Sequence, residues 1–417
     1  MKTNLGATAV EEAAARLEGV VKHTPLQPNP RLSEMTGANV YLKREDLQPV
    51  RSYKLRGAYN TISQLSDDER AKGVICASAG NHGQGVAFSC AQLGVKGRIF
   101  CPTTTPRQKR DRMNALGGEW VELVFVGNSY DEAAAAAAQE AEATGAVQVH
   151  AFDAETTIAG QGTVAKEIVD QLGGEAPDVL LVPVGGGGLL SGCLTWMRQR
   201  FPQTRVIGVE PTGAASMQAG LWAGHPVRLD NIDTFADGVA VAQAGENTLS
   251  IIQRMGCEWA TVREGQICSE MLDMYQVDGV IAEPAGALAS AALRSQVQVE
   301  PGETVVAVVS GGNNDVSRYA EVLERSLVFE DRKHYFLVTF PQEPGALLRF
   351  LKDVLGPDDD ITLFEYTKRN NRETGPALVG IELGDPATMP DLMERISKSS
   401  IPAEPLDPES PAYRFLI

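Results

Sequence analysis

Between about residues 73 and 310 the chain repeats one grammar: a short apolar run, a turn, then a helical stretch. The apolar runs cover 73–77, 98–101, 121–126, 179–184, 206–209 and 304–309, and they are rich in β-branched residues. Most of them do not alternate apolar with polar positions. An alternating strand has one wet face, whereas a continuous apolar strand is covered on both. Helical stretches at 83–93 and 189–200 separate runs as parallel crossovers require. The expected class is therefore α/β with a mainly parallel sheet, in more than one lobe. In such sheets ligands bind beyond the carboxyl ends of the strands, so function is sought in the loops that follow them.

After residue 324 the grammar changes. Runs at 333–340, 361–368 and 376–383 read as strands, 344–355 and 389–397 as helices, and 356–360 and 369–374 as turns. The β-α-β-β-α order predicts a small ferredoxin-like α+β unit over residues 334–417, following a catalytic part at 1–330. The tail holds no nucleophile–base pair and reads as a binding or regulatory module. The alanine- and glutamate-rich stretch 131–143 follows Asn128 and Ser129, two capping residue types, and predicts a helix.

Charge narrows the partners. Lys and Arg number 37 against 54 Asp and Glu, a net charge of −17, which argues against nucleic acid and anionic lipid as ligands. The six cysteines (76, 90, 101, 193, 257 and 268) show no C-x-x-C spacing, so neither a zinc ribbon nor a redox pair is expected. Cys76 and Cys101 lie in strand-like runs, and the expected compartment is the reducing cytoplasm. Residues 1–19 lack the apolar core of a signal peptide, and no apolar run approaches the ~18 residues of a membrane span.

Four turns carry possible chemistry. In Val50-Arg51-Ser52-Tyr53-Lys54-Leu55-Arg56-Gly57, Ser52 is the expected N-cap of a helix running through Gln64. Lys54 then falls in the first turn, where the helix dipole disfavours a cation. That setting suits a lysine that condenses with an aldehyde, although a surface lysine starting a helix is the competing reading. Ala77-Ser78-Ala79-Gly80-Asn81-His82-Gly83 joins a strand to a helix and offers free N–H groups to an anion such as a carboxylate. Val184-Gly185-Gly186-Gly187-Gly188-Leu189 leaves backbone N–H groups bare after a buried strand, a phosphate cradle in physical terms. Val309-Ser310-Gly311-Gly312-Asn313 ends another strand with a hydroxyl at the sheet edge. A fifth segment, Glu283-Pro284-Ala285-Gly286, puts a carboxylate at a helix start, where it ordinarily serves the dipole.

A dinucleotide site stays open at this point, because Glu210 lies about 20 residues beyond the glycines, where a ribose-binding acid would stand. The third glycine of that fingerprint falls on Ser191 or Leu190, so a nucleotide-dependent oxidoreductase has only partial support. His23, His150, His225 and His334 form no spaced pair with one another or with cysteine, so no metal site is expected.

Taken in order, Lys43-Arg44-Glu45-Asp46, Ser52-Tyr53-Lys54, Ser78-Ala79-Gly80-Asn81-His82, Gly185 to Leu189 and Ser310-Gly311-Gly312-Asn313 resemble the fold-type II pyridoxal-phosphate enzymes, most closely the threonine dehydratases (threonine ammonia-lyases). The resemblance covers about residues 8–325. Phe340-Pro341-Gln342-Glu343-Pro344-Gly345-Ala346-Leu347 resembles the start of one ACT-like regulatory domain, which points to the biosynthetic, isoleucine-regulated branch.

The resemblance implies a two-lobed, tryptophan synthase β-like catalytic part. It implies that Lys54 carries pyridoxal 5′-phosphate as a Schiff base and that Tyr53 packs by the cofactor, where the family more often has Phe. Asn81 would lie by the cofactor's 3′-oxygen, the backbone of Gly185, Gly186, Gly187, Gly188 and Leu189 would hold its phosphate, and Ser310 would meet the pyridine nitrogen. Ser78, Ala79, Gly80, Asn81 and His82 would hold the substrate carboxylate. The implied reaction takes L-threonine to 2-oxobutanoate and ammonia, the first step of isoleucine biosynthesis, in a homotetramer inhibited by isoleucine, with valine as a second effector candidate. Serine dehydratase and serine racemase, built on the same machinery, remain alternatives. Glu210, with Ala214 and Ser216, sits where some members of the family hold a cation.

Overall fold

The computed structural model describes residues 5–368, 372–407 and 413. The chain divides into two compact units, 1–314 and 315–417. The division falls ahead of residue 330, so the helix Tyr319–Phe329 belongs to the second unit.

The first unit holds two sheets. The six-stranded sheet contains β1 (Leu26–Pro28), β2 (Asn39–Arg44), β7 (Val179–Pro183), β8 (Arg205–Pro211), β9 (Glu258–Val262) and β10 (Thr304–Val309), in the order β1-β2-β10-β7-β8-β9. Only β1 runs antiparallel to its neighbour. The four-stranded sheet is parallel throughout, with order β5-β4-β3-β6 from β3 (Val74–Ala77), β4 (Gly97–Cys101), β5 (Val121–Phe125) and β6 (Val147–Gln148). Every residue of β3 and β7 is buried, as their unbroken apolar runs require. By contrast, β5 departs from the expected burial on both faces. It is the outer strand of its sheet and keeps two exposed residues. Cys76 and Cys101 are buried in β3 and β4, and all six cysteines are free.

Both sheets share one topological device. In the first, β7, β8 and β9 follow one another outward, and β10 returns to the other side of β7. In the second, β3, β4 and β5 follow outward and β6 returns beside β3. Such reversals open a crevice at the carboxyl ends of the strands. The loops that leave these points are 185–189, 310–314, 78–82 and 149–154. The helices Lys54–Ile62 and Glu155–Gln171 pack on each other, and Lys54–Ile62 also packs on Asn81–Leu93.

Local expectations met mixed outcomes. Ser129 caps the helix Tyr130–Thr144, accepting from the Glu132 N–H while Glu132 reaches back to the Ser129 N–H. Ser52 does not cap the helix that follows it. The helix starts at Lys54 after Tyr53, ends at Ile62 rather than Gln64, and has no side-chain cap. Ser52 instead pairs through its backbone with Gly311.

In the second unit the helix Tyr319–Phe329 precedes a four-stranded antiparallel sheet. Its strands are β11 (Lys333–Pro341), β12 (Asp360–Tyr366), β13 (Thr374–Glu382) and β14 (Ala403–Pro405), in the order β12-β13-β11-β14. Helices Ala346–Val354 and Met389–Lys398 complete the ferredoxin-like β-α-β-β-α order, and β14 extends it. Of the turn expected at 369–374, residues 369–371 lie outside the described residues and Thr374 already belongs to β13. Phe336, Phe340, Phe350, Val379 and Leu392 form the centre of its core. Phe340 meets Phe350 edge-on with ring centroids 5.3 Å apart.

Candidate active site

The crevice at the reversal between β7 and β10 holds a pocket. Tyr53 and Lys54 line it together with Pro183, Gly185, Gly186, Gly187, Gly188 and Leu189. Two segments that are 131 positions apart, from Lys54 to Gly185, thus share one cavity wall. Phe152, Gly238 and Val241 complete the lining, and none of these three was singled out by the sequence.

Lys54 lies in the first turn of its helix, as expected, although as the first residue rather than the second, and is half-buried. Its Nζ lies 5.2 Å from the centroid of the Tyr53 ring, which itself packs on the core around β7. The Tyr53 N–H donates to the Ser310 carbonyl at 3.1 Å, and Ser52 bridges Gly311. The fourth motif therefore clamps the segment that carries the lysine.

The glycine loop has the character of an anion cradle. Among the described residues, no hydrogen bond engages the backbone N–H of Gly185, Gly186, Gly187, Gly188 or Leu189. The helix Gly188–Arg200 starts there and adds its dipole. Glycine is required on two counts. Gly187 has φ +91°, and a Cβ on Gly186 would lie 2.3 Å from Phe152 Cγ. Free donors, a positive helix end and a nearby amine form a donor set that fits a phosphorylated aldehyde.

Around this pocket the other motifs are joined by hydrogen bonds rather than by lining it. Asn81, first residue of its helix, donates from Nδ2 to Glu283 Oε1 at 2.6 Å and accepts at Oδ1 from Asn313 Nδ2 at 2.8 Å. Ser78 is buried, and its Oγ accepts from the Gly80 N–H at 3.2 Å. Ala79 and Gly80 are half-buried in the same turn. His82 is buried and its Nε2 meets the Val149 carbonyl at 2.8 Å, so Nε2 carries the proton and Nδ1 is left as an acceptor. Burial pushes His82 down to about 3, and the positive charge of Lys54 adds to the effect. The imidazole is therefore neutral at pH 7. Ser310 is buried and donates from Oγ to the Ala285 carbonyl at 3.0 Å.

The sequence makes Glu283 a dipole partner for its own helix. The structure corrects this: it makes no side-chain cap and faces the Asn81 cluster. Burial pushes its carboxyl up to about 7, reinforced by Asp237, while the Asn81 hydrogen bond, Lys109 and the Asn313 N–H pull the other way. Only the tertiary fold could show this, since Glu283 and Asn81 are 202 residues apart.

Lys43, Arg44, Glu45 and Asp46 do not line the pocket. Arg44 pairs with Asp46 at 2.8 Å. Lys43 Nζ meets Glu167 Oε1 at 2.5 Å, and Arg56 meets Glu45 at 2.7 Å and Glu167 at 2.8 Å. This buried network anchors Arg56, two residues from Lys54, to the helix Glu155–Gln171. The ribose-acid reading of Glu210 fails on similar grounds. Its carboxylate is buried and accepts from the N–H groups of Met217 and Gln218 at 2.8 and 2.9 Å. Those bonds hold the first N–H groups of the helix Ser216–Ala223, and the complete burial of Glu210 keeps it out of reach of a nucleotide. Among the described residues no group of three His, Cys, Asp or Glu side chains could hold a metal ion, and no helix is long and apolar enough to cross a membrane.

Comparison with known proteins shows the family of both parts of the chain. Residues 17–311 match the model of the pyridoxal-phosphate dependent enzymes, and residues 324–416 match the C-terminal regulatory domain of threonine dehydratase. The chain is 58% identical over 416 residues to the biosynthetic L-threonine dehydratase IlvA of Mycobacterium tuberculosis, covering 99% of this chain and 96% of that one. It is 49% identical over 406 residues to the Bacillus subtilis protein of the same name, covering 97% and 96%. Among solved structures, the processed form of threonine deaminase isoform 2 from Solanum lycopersicum has 42% identity and a TM-score of 0.72, over 77% of this chain and 88% of that one.

Proposed function

The chain belongs to the pyridoxal-phosphate dependent enzyme family, and from that premise we propose that it converts L-threonine to 2-oxobutanoate and ammonia as the first step of isoleucine biosynthesis. The observation that carries the reading is the shared pocket of Lys54 and the four-glycine loop, in a chain whose second unit is also of threonine dehydratase type.

Bound pyridoxal phosphate would supply a carbonyl that condenses with amines and an electron sink for the carbon next to the nitrogen. The N–H groups of Gly185 to Leu189 would hold its phosphate, Lys54 its carbonyl carbon, Asn81 its 3′-oxygen and Ser310 its ring nitrogen. The neutral Ser310 hydroxyl lacks the charge that would keep a ring nitrogen protonated.

The rest falls to side chains on this chain. The 78–82 turn at the start of the helix Asn81–Leu93 receives the threonine carboxylate, where the dipole favours an anion. The Lys54 amine, once free, takes the Cα proton; the β-hydroxyl leaves with a proton as water, and hydrolysis of the released enamine gives 2-oxobutanoate and ammonia. His82, held neutral, adds no competing positive charge there. Phe152 packs against the glycine loop and forms part of the pocket wall. We assign isoleucine to the second unit as an inhibitor, and a homotetramer in the cytoplasm as the working form.

Turnover of threonine and serine, each with and without isoleucine, tests the reading. Threonine should be preferred, isoleucine should lower its turnover, and truncation after residue 332 should abolish that inhibition. Serine preferred over threonine, or indifference to isoleucine, would count against it.

A further inference from the structure

Glu283 opens the helix Pro284–Ala291 yet is only 3% exposed and makes no capping bond to it. A carboxylate at a helix start usually faces water and serves the dipole. Here both of its oxygens are engaged elsewhere. Oε1 accepts from Asn81 Nδ2 at 2.6 Å, and Oε2 accepts from the Asn313 N–H at 3.2 Å. The Asn313 amide continues the chain of bonds. Its Nδ2 donates both to the Val50 carbonyl and to Asn81 Oδ1, each at 2.8 Å.

The direction of this chain is determined at both ends. A backbone carbonyl only accepts, so Val50 makes Asn313 present Nδ2. Asn313 in turn makes Asn81 present Oδ1. From the other end, Glu283 in its ionised form only accepts and makes Asn81 present Nδ2; the Val50 end fixes the same direction in either form of this carboxyl, which burial pushes up to about 7. A carboxamide can otherwise flip between two nearly isosteric orientations. Asn81 is oriented twice over, and one N–H of Nδ2 remains as the donor it can offer a ligand.

Two glycines make room for the carboxylate. A Cβ on Gly311 would lie 2.3 Å from Glu283 Oε1, and one on Gly238 would lie 3.2 Å from it. The Glu283 N–H also donates to the Gly311 carbonyl at 3.1 Å. Gly311, in the turn after Ser310, thus has a structural reason that involves no phosphate.

We propose that Glu283 is a positioning residue that fixes the Asn81 carboxamide, so that Asn81 meets the cofactor only as an N–H donor. The proposal rests on the assignment of Asn81 to the cofactor made above. It assigns Glu283 no contact with substrate or cofactor.

The test is a double-mutant cycle on cofactor binding. Apoenzyme is titrated with pyridoxal phosphate, and both the dissociation constant and the visible absorbance maximum are read. Glu283→Gln offers one acceptor where two donors converge. It should weaken cofactor binding about tenfold, the worth of one hydrogen bond, and move the absorbance maximum. In an Asn81→Ala background the same substitution should change neither quantity, because a residue acting through Asn81 has nothing left to act on. Gly311→Ala, which crowds the carboxylate without removing it, should reproduce the loss and serves if Glu283→Gln does not fold. Equal effects of Glu283→Gln with and without Asn81, or wild-type binding and spectrum in both Glu283→Gln and Gly311→Ala, would overturn the proposal. Borohydride labelling of wild-type Lys54 separates the two levels. A label with an additive cycle refutes only the role of Glu283, whereas no label refutes the reading beneath it.

Discussion

Glu167→Gln isolates the buried charge network under the lysine-bearing helix. Glu167 Oε1 takes Lys43 Nζ at 2.5 Å and the Thr24 N–H at 2.9 Å, while Oε2 takes Arg56 Nη2 at 2.8 Å. Lys43 and Arg56 are at most 1% exposed. In the wild type two buried cations face two carboxylates, Glu45 and Glu167. Glutamine keeps the shape but leaves two cations against one anion. Removing one partner of a buried pair costs about 3–5 kcal/mol. A ceiling applies, because Lys43 can release its proton while arginine cannot. Burial already pushes Lys43 down from the usual 10.5. Discharging an ordinary lysine at pH 7 costs about 4.8 kcal/mol, 3.5 units at 1.36 kcal/mol each. The expected loss is therefore about 3–4.8 kcal/mol at pH 7. At pH 9 the ceiling falls to about 2 kcal/mol, since only 1.5 units remain. All four tryptophans (120, 196, 222 and 259) lie in the first unit, so urea unfolding followed by their fluorescence reports the right region. A loss under about 1 kcal/mol, or one that does not shrink between pH 7 and 9, would refute the reasoning.

Three further outcomes are expected. Gly186→Ala places a Cβ 2.3 Å from Phe152 Cγ, and overpacking of about 1–3 kcal/mol should weaken cofactor binding in titrations of the apoenzyme; unchanged affinity contradicts the cradle. His82 is held down at about 3, so between pH 3 and 6.5 the unfolded chain binds a proton that the folded chain refuses. Stability should fall as pH drops through that window, by at most about 1.4 kcal/mol per unit, and His82→Asn should remove this part of the slope in urea midpoints. Phe340→Ala empties the centre of an aromatic cluster that includes Phe350 and Phe364, and should destabilise the second unit by about 3–5 kcal/mol. Hydrogen exchange should then accelerate across β11 and β13, and unchanged protection there would count against that core.

What could be read in the sequence follows from where each signal resides. The strand at 304–309 was bounded to the residue because its apolar run is covered on both faces. The strand Asn39–Arg44 was missed because Asn39, Lys43 and Arg44 look wrong for a strand. Lys43 and Arg44 are tolerated there through Glu167 and Asp46, partners that no local pattern reveals. The cap at Ser129 was legible, since its partner Glu132 is three residues away. The role of Ser52 was not, since it pairs with Gly311 across the fold. The same limit explains the site. The glycine loop announces itself by chemistry unusual for a turn, whereas Lys54 reads equally as a surface lysine until it is set beside the other motifs. Phe152, Gly238 and Val241 are ordinary residues made relevant only by the strand reversals that bring their loops together.

The most direct test of the central claim is borohydride reduction of the holoenzyme followed by peptide mass mapping. The account predicts loss of visible absorbance and the reduced cofactor's mass on the peptide containing Lys54. A label on any other lysine, or none with the cofactor bound, would contradict it.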